Sequence, residues 1–391
     1  MTYRVLDRDG HFRADGLPKR ILALDGGGLR GILTIGILAE IERLLRERHG
    51  NSPDFRLCHY FDLIAGTSTG AIIAAALAQG WTVDQIRDKY NQLGKRVFEK
   101  SLFRQGLLRA KYDEGLLIDE LKQVYGPQTT LGGPELKTGL VVVTKRLDTG
   151  SPWPLSNNPR GRYFPANQET GRLGNADYPL WQVVRASTAA PAYFDPESIE
   201  IVPANGKASA VIGNFVDGGV SPFNNPAMQA LMYATMEGYR IGWPTGADKL
   251  LLVSLGTGAA DPDVAKASLA AEHAVKALLS LMQDCASLQQ TMLQWMSSSP
   301  TAKVIDRELG DLRHDLVAGA PLMSYLRYDV DLRAESVQAL NPAITDAETI
   351  QSLSEMDAPD NMPVLHDLGT RAGQRDVNAR DFASGFDIPS V

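Results

Sequence analysis

Short apolar runs alternate with glycine turns and amphipathic stretches along the first two thirds of the chain. Arg20-Ile21-Leu22-Ala23-Leu24-Asp25 reads as a short buried strand. It opens into Gly26-Gly27-Gly28-Leu29-Arg30-Gly31, and then into apolar positions at Leu33, Ile37, Ile41, Leu44 and Leu45, the spacing of one helix face. The same order returns at Phe61-Asp62-Leu63-Ile64-Ala65-Gly66-Thr67-Ser68-Thr69-Gly70, where a strand meets a glycine-flanked serine and an alanine-rich helix follows. Two strand–loop–helix units in succession predict a parallel α/β sheet. Further strands are predicted at Leu140–Thr144 and Lys249–Leu255, and another ends at Asn214-Phe215-Val216-Asp217, followed by Gly218-Gly219.

Helices are predicted around Val83–Arg87, Leu116–Leu121 and Leu180–Ala190, the last closed by Pro191. From about Ala265 the pattern turns helical as far as Trp295; Tyr325–Val330 reads as a strand, and Ala347–Leu353 and Val364–Arg371 as helices. Ser151–Tyr178, rich in Pro, Asn and Gly and carrying Arg160, Arg162 and Arg172, reads as a long loop of the kind that binds ligands or forms a lid. Lys95–Lys111 mixes bases with large apolar side chains; it reads as a surface segment with one buried stripe, or as a segment resting on an anionic bilayer. Ser384–Val391 shows no pattern and is expected to fray. The expected organisation is a core over residues 19–258, with a mostly helical extension over 259–391 packed on it and a ragged tail.

Composition narrows the class. The chain has 391 residues, 44% hydrophobic and 22% charged, as in ordinary soluble globular proteins. A net charge of -7 argues against a nucleic-acid polymer as partner, since phosphate contacts need clustered Lys and Arg. Two cysteines, Cys58 and Cys285, make neither a disulfide framework nor a metal cage. The N-terminus lacks a secretory h-region, and no apolar run reaches membrane-spanning length. A cytoplasmic location is expected, with contact at a membrane surface left open.

Gly66-Thr67-Ser68-Thr69-Gly70 has the layout of a nucleophile elbow, which places a serine on a sharp turn from strand to helix. Ser68 then needs a proton acceptor and donors for an oxyanion. Gly26, Gly27 and Gly28 supply unobstructed backbone amides at a helix start, and Arg30 adds a positive charge that fixes the loop or faces a phosphate head group. Gly26, Gly28 and Gly31 also spell a dinucleotide fingerprint, but the acid that should end the next strand is missing. None of the six histidines sits at the C-terminal tip of a predicted strand, whereas Asp217 does. Asp217 alone would read as a turn residue; beside the elbow and the glycine loop it reads as the general base.

The glycine loop with Arg30 and Gly31, the elbow with Gly66 and Gly70, and Asp217-Gly218-Gly219, in that order, resemble the patatin-like phospholipase family, as does Arg185-Ala186-Ser187-Thr188-Ala189-Ala190-Pro191. The resemblance covers roughly Lys19 to Gly258. It implies a three-layer α/β/α sandwich with a mostly parallel central sheet, related to the cytosolic phospholipase A2 catalytic fold. It also implies a Ser68–Asp217 dyad without histidine, an oxyanion hole at Gly26–Gly28, no cofactor or metal, and hydrolysis of lipid acyl esters. Some bacterial members of similar size are switched on by cyclic nucleotides in antiviral defence, so a small-molecule activator such as a cyclic dinucleotide is a second expectation. A non-catalytic lipid-binding protein is the third.

Overall fold

The computed structural model describes residues 3–98, 112–191, 193–205, 209–259 and 270–390. Of the basic segment 95–111, only Lys95–Phe98 fall among these, as the end of a helix; the rest lies outside the described residues.

Among the described residues nine strands form one sheet: β1 (Lys19–Leu24), β2 (Leu63–Thr67), β3 (Gly139–Arg146), β4 (Pro152–Ser156), β5 (Glu197–Val202), β6 (Val211–Asp217), β7 (Leu250–Leu255), β8 (Ser297–Ser298) and β9 (Met323–Tyr328). The helices are α1 (Arg8–His11), α2 (Gly31–Arg48), α3 (Leu57–Tyr60), α4 (Thr69–Ala78), α5 (Val83–Phe98), α6 (Glu114–Tyr125), α7 (Leu180–Ser187), α8 (Ala227–Thr235), α9 (Ala270–Trp295), α10 (Ala334–Leu340), α11 (Ala347–Ser352) and α12 (Met362–Asp376). The sheet runs in the order β5-β6-β3-β2-β1-β7-β9-β8, with β4 also paired to β3. Pairings among β3, β2, β1, β7, β9 and β8 are parallel; β4 and β6 pair antiparallel to β3, and β5 to β6.

Strand side chains alternate between two cores. Leu22 and Leu24 of β1 pack with residues of α2, α4, α5, α6 and α12 on one face, while Ile21 and Ala23 pack with α8, Trp243 and Leu293 of α9 on the other. Helices therefore cover both faces, and β1, β2 and β7 are buried along their full length, which is why they read as unbroken apolar runs. The result is a three-layer α/β/α sandwich around a mostly parallel sheet.

The predicted loop 151–178 contains β4, which two prolines had hidden from the pattern. Proline cannot donate to a ladder, so Pro152 and Pro154 suit only a strand with one free edge. The antiparallel entry of β6 is a second departure from the parallel expectation, and it decides where Asp217 arrives. β2 and β4 overlap along β3 at residues 141–143, so they occupy opposite edges of it; β4 and β6 overlap at 144–145, so they do too. Hence β2 and β6 share one edge of β3 and meet head to head. Thr67 ends β2 opposite Val143, and Asp217 ends β6 opposite Thr144.

The C-terminal tail, expected to fray, is tied down. Phe386 and Ile388 are buried, Ile388 N donates to His49 Nε2 at 3.0 Å, and Arg4 N donates to the Pro389 carbonyl at 3.0 Å. Two isolated apolar residues are too few for periodicity to reveal, yet they close the core beside α2 and Tyr3. Phe386→Ala is expected to cost about 3 kcal/mol of folding stability in urea titrations; a frayed tail would leave stability unchanged within about 0.5 kcal/mol.

Candidate active site

Ser68 sits between β2 and α4 with φ 54° and ψ −126°, a backbone region that side chains avoid. The two flanking glycines make the turn possible by close approach. A Cβ on Gly66 would lie 2.3 Å from the Gly70 carbonyl oxygen, and one on Gly70 would lie 2.1 Å from that of Leu24. Ser68 N donates to Ser187 Oγ at 2.8 Å, and that hydroxyl donates to the Val143 carbonyl at 2.6 Å, so α7 pins the elbow to β3.

Asp217 is buried at the end of β6, its carboxylate accepting from Gly219 N at 2.7 Å with the Ser68 hydroxyl close by. Burial lifts its pKa to about 6; the nearby Ser68 hydroxyl, the Gly219 amide and the charge of Arg185 hold it down only in part. Gly218 lets β6 come in close: a Cβ there would meet the Val143 carbonyl oxygen at 2.3 Å. A carboxyl with a pKa near neutrality beside a strained hydroxyl can take up and return a proton.

The glycine loop arrives from β1. The Gly26 carbonyl is held by Thr257 Oγ1 at 3.0 Å and Asn224 Nδ2 at 3.3 Å, and the Gly27 carbonyl accepts from Arg30 N at 3.3 Å. In a planar trans peptide the following N–H points opposite to the carbonyl, so the Gly27 and Gly28 amides face away from these partners. Neither amide makes a hydrogen bond among the described residues. Gly26 N, by contrast, is occupied by the Asn224 carbonyl at 3.1 Å, so of the three glycines only Gly27 and Gly28 keep amides for an anion. The Gly28 carbonyl is gripped by the Tyr90 and Thr69 hydroxyls at 2.6 and 2.7 Å. Gly31 begins α2 against Thr69 and Tyr90, and Gly219 packs beside Asn224. Arg30 precedes α2; its Nε is buried without a partner among the described residues, and burial lowers its pKa against the opposing charge of Asp329.

Gly28, Ser68 and Asp217 line one pocket, whose walls are otherwise largely apolar: Ile72, Leu93, Phe98, Leu117 and Phe194. Among the described residues, no histidine lines it. His11 is engaged elsewhere, 2.9 Å from Asp62, and His49 and His59 lie in the aromatic cluster around Tyr3. Of the residues singled out in the three motifs, Gly28, Ser68 and Asp217 line this pocket, one from each motif.

Sequence reasoning missed the residues that hold the loop. Arg327 of β9 forks onto Asp25, the residue before Gly26, at 3.1 and 2.7 Å, and reaches Ser254 Oγ and Asp329 at 2.7 Å each. Ser187 was visible as part of a quoted stretch; Tyr90, Asn224, Thr257 and Arg327 carried no signal, because each acts across more than sixty positions of sequence. Arg327→Met leaves buried Asp25 and half-buried Asp329 without their cation and is expected to cost about 3–5 kcal/mol. Arg327→Met/Asp25→Asn should recover part of that loss in urea denaturation; strict additivity would show that the pair is not coupled.

The raised carboxyl of Asp217 has its own signature. Its folded pKa of about 6 exceeds the ordinary 3.8, so ionising it costs folding stability above pH 6, and the cost is relieved as pH falls through 6 towards 3.8. Asp217→Asn removes that cost and keeps an acceptor for Gly219 N. It is expected to stabilise the fold by about 1–3 kcal/mol at pH 8 and by less at pH 5, checked by thermal denaturation at the two pH values.

A profile of the family described as patatin-like phospholipase matches residues 22–231. A cGAMP-activated phospholipase of Vibrio cholerae is 33% identical over 224 residues, covering 54% of this chain and 56% of that one. A cUMP-AMP-activated phospholipase of Escherichia coli is 33% identical over 221 residues, 56% of this chain and 59% of that one. Patatin-17 of Solanum cardiophyllum is 28% identical over 260 residues, 61% of this chain and 60% of that one. The chain spans a little over half the length of these relatives. With the profile covering more than half of its own length, this chain belongs to the patatin-like phospholipase family.

Proposed function

We propose that the chain is a serine lipid acyl hydrolase working through a Ser68–Asp217 dyad and an acyl-serine intermediate. The observation that carries this reading is the buried Asp217 carboxylate beside Ser68 in a pocket that no histidine lines among the described residues. Asp217 takes the Ser68 proton as Oγ attacks the acyl carbonyl carbon, and the carbonyl electron pair moves onto oxygen. The Gly27 and Gly28 amides receive that oxyanion, on the loop that belongs to the same pocket. Collapse of the adduct breaks the ester C–O bond, and Asp217 returns the proton to the departing alcohol. Asp217 then deprotonates a water, which attacks the acyl-serine; the fatty acid leaves and Ser68 recovers its proton. The apolar walls from Ile72 to Phe194 suit an acyl chain. No helix among the described residues is long and apolar enough to cross a membrane.

A second reading adds a switch: the relatives from Vibrio cholerae and Escherichia coli are named for activation by cGAMP and by cUMP-AMP, which favours a cyclic dinucleotide as activator here.

A fluorophosphonate is expected to label Ser68, identified by peptide mass spectrometry, and Ser68→Ala should lower ester hydrolysis by at least about 10³-fold. The rate should fall about tenfold per pH unit below the Asp217 pKa of about 6. An unlabelled Ser68 would favour a non-catalytic lipid-binding protein.

A further inference from the structure

A second apolar cavity lies behind the Ser68 pocket. Ile72, Tyr90 and Leu93 line both, so these side chains form the wall between the two. Three helices build the cavities, and each places its residues in the same order. Along α4 and its N-cap, Ser68, Ile72 and Ala76 recur at every fourth position and share one face. Ser68 and Ile72 line the first cavity, Ile72 and Ala76 the second. α5 follows after a short connection and runs back antiparallel to α4. Its last residue, Phe98, faces the first cavity, and Ile86, near its start, faces the second. On α6, Leu117 lines the first cavity and Val124, two turns on, the second.

The three helices therefore describe one path that leaves Ser68 and runs down α4. It reaches Trp81, just past the last turn of that helix, whose N–H donates to the Ala76 carbonyl at 3.1 Å. The lining suits hydrocarbon. Ala76 and Ile86 are buried, and Trp81 and Val124 are half-buried. The Tyr90 hydroxyl is held by the Gly28 carbonyl at 2.6 Å, so its ring is what it offers the path. Lys89 can lay its methylenes along the wall and keep its ammonium in water. Among the described residues, no carboxylate lines this second cavity.

Helix geometry gives the path a scale. At the α-helical rise, Ile72 lies about 6 Å and Ala76 about 12 Å from Ser68 along the axis. The hydrocarbon core of a bilayer is about 30 Å thick, so each of its two layers of acyl chains is about 15 Å deep. A chain held at Ser68 that stops at the wall of Ile72, Tyr90 and Leu93 is then about half as long as a membrane acyl chain. A full-length chain has to pass between those three side chains and place its tail beside Ala76.

We infer that the second cavity is the tail site for a long acyl chain, and that Ala76 and the wall in front of it set the chain length accepted. The substrate class is then esters of long-chain fatty acids, an assignment that rests on the hydrolase reading above. Ala76 determines specificity by being small, because a larger side chain there takes the space that the tail needs.

Nitrophenyl octanoate and nitrophenyl hexadecanoate are offered together in the same detergent micelles, and the released acids are quantified by mass spectrometry. Ala76→Leu and Val124→Phe fill the second cavity from two different helices. Each should lower the hexadecanoate-to-octanoate ratio of the parent at least about tenfold. A general loss of stability slows both esters alike, so the ratio reports the cavity and not the fold. Val124 is half-buried on α6, so Val124→Phe carries the test where Ala76→Leu overpacks α4. A ratio unchanged in both variants, with Ser68 still labelled by a fluorophosphonate, overturns the tail site and leaves the hydrolase reading standing. If Ser68 resists the label and neither ester is cleaved, that reading falls, and calorimetry on the Ser68→Ala protein decides the cavity alone. Hexadecanoic acid should then bind at least about tenfold more tightly than octanoic acid, with Ala76→Leu removing the difference; equal affinities in the parent overturn the site.

Discussion

The meeting of β2 and β6 on one edge of β3 is the constraint on which the rest of the site depends. A parallel α/β sheet normally gathers its functional groups in loops beyond the strand ends, where positions drift with loop length. Here the serine and the acid are each fixed by a strand. Thr67 and Asp217 lie opposite consecutive residues of β3, so the ladder that builds the sheet also sets the spacing between Ser68 and Asp217. Ser187 strengthens the seam by joining Ser68 N to the Val143 carbonyl. The strained turn at Ser68 persists because glycine contacts on both sides, and this seam, leave it no room to relax.

The C-terminal third shares in this arrangement. β9 pairs parallel to β7 and carries Arg327, which joins Asp25, Ser254 and Asp329 in a buried ionic knot directly behind the glycine loop. Burial lifts Asp25 to about 6 even though Arg327 opposes the shift. Met356, from the segment after α11, accepts from Leu29 N at 2.7 Å and closes the loop from above. Residues separated by some three hundred positions thus fix the two ends of one glycine turn.

These particulars explain which parts of the molecule were legible in its sequence. β1 and β7 were plain, since burial on both faces leaves an unbroken apolar run, and the elbow was plain because its glycines are required by contacts under 2.5 Å. Asp217 stood out through the glycines that admit it. The direction of β6 left no trace, because a strand's residue pattern records which faces are buried and not which way it runs beside its neighbour. β4 was masked by its own prolines. Arg327 was one arginine among many until β9 brought it to Asp25. The tail gave no sign, since Phe386 and Ile388 gain their meaning from His49 and α2, across most of the chain.

Three buried aspartates show how the fold assigns protonation by partner. Burial raises the pKa of each, and what faces the carboxylate decides the outcome. At Asp62, Arg20 and His11 outweigh burial and hold the carboxyl well below its usual range, as a structural acid locked in its charged form. Asp25 faces one guanidinium but shares it with Asp329, and burial prevails. Asp217 has a hydroxyl and an amide as close partners, with Arg185 acting only through its charge, and it too rises to about 6. Among the three, Asp217 alone joins a raised pKa to a place in the pocket that Ser68 lines. In the proposed dyad, burial gives this carboxyl the near-neutral pKa that an imidazole would otherwise bring to Ser68.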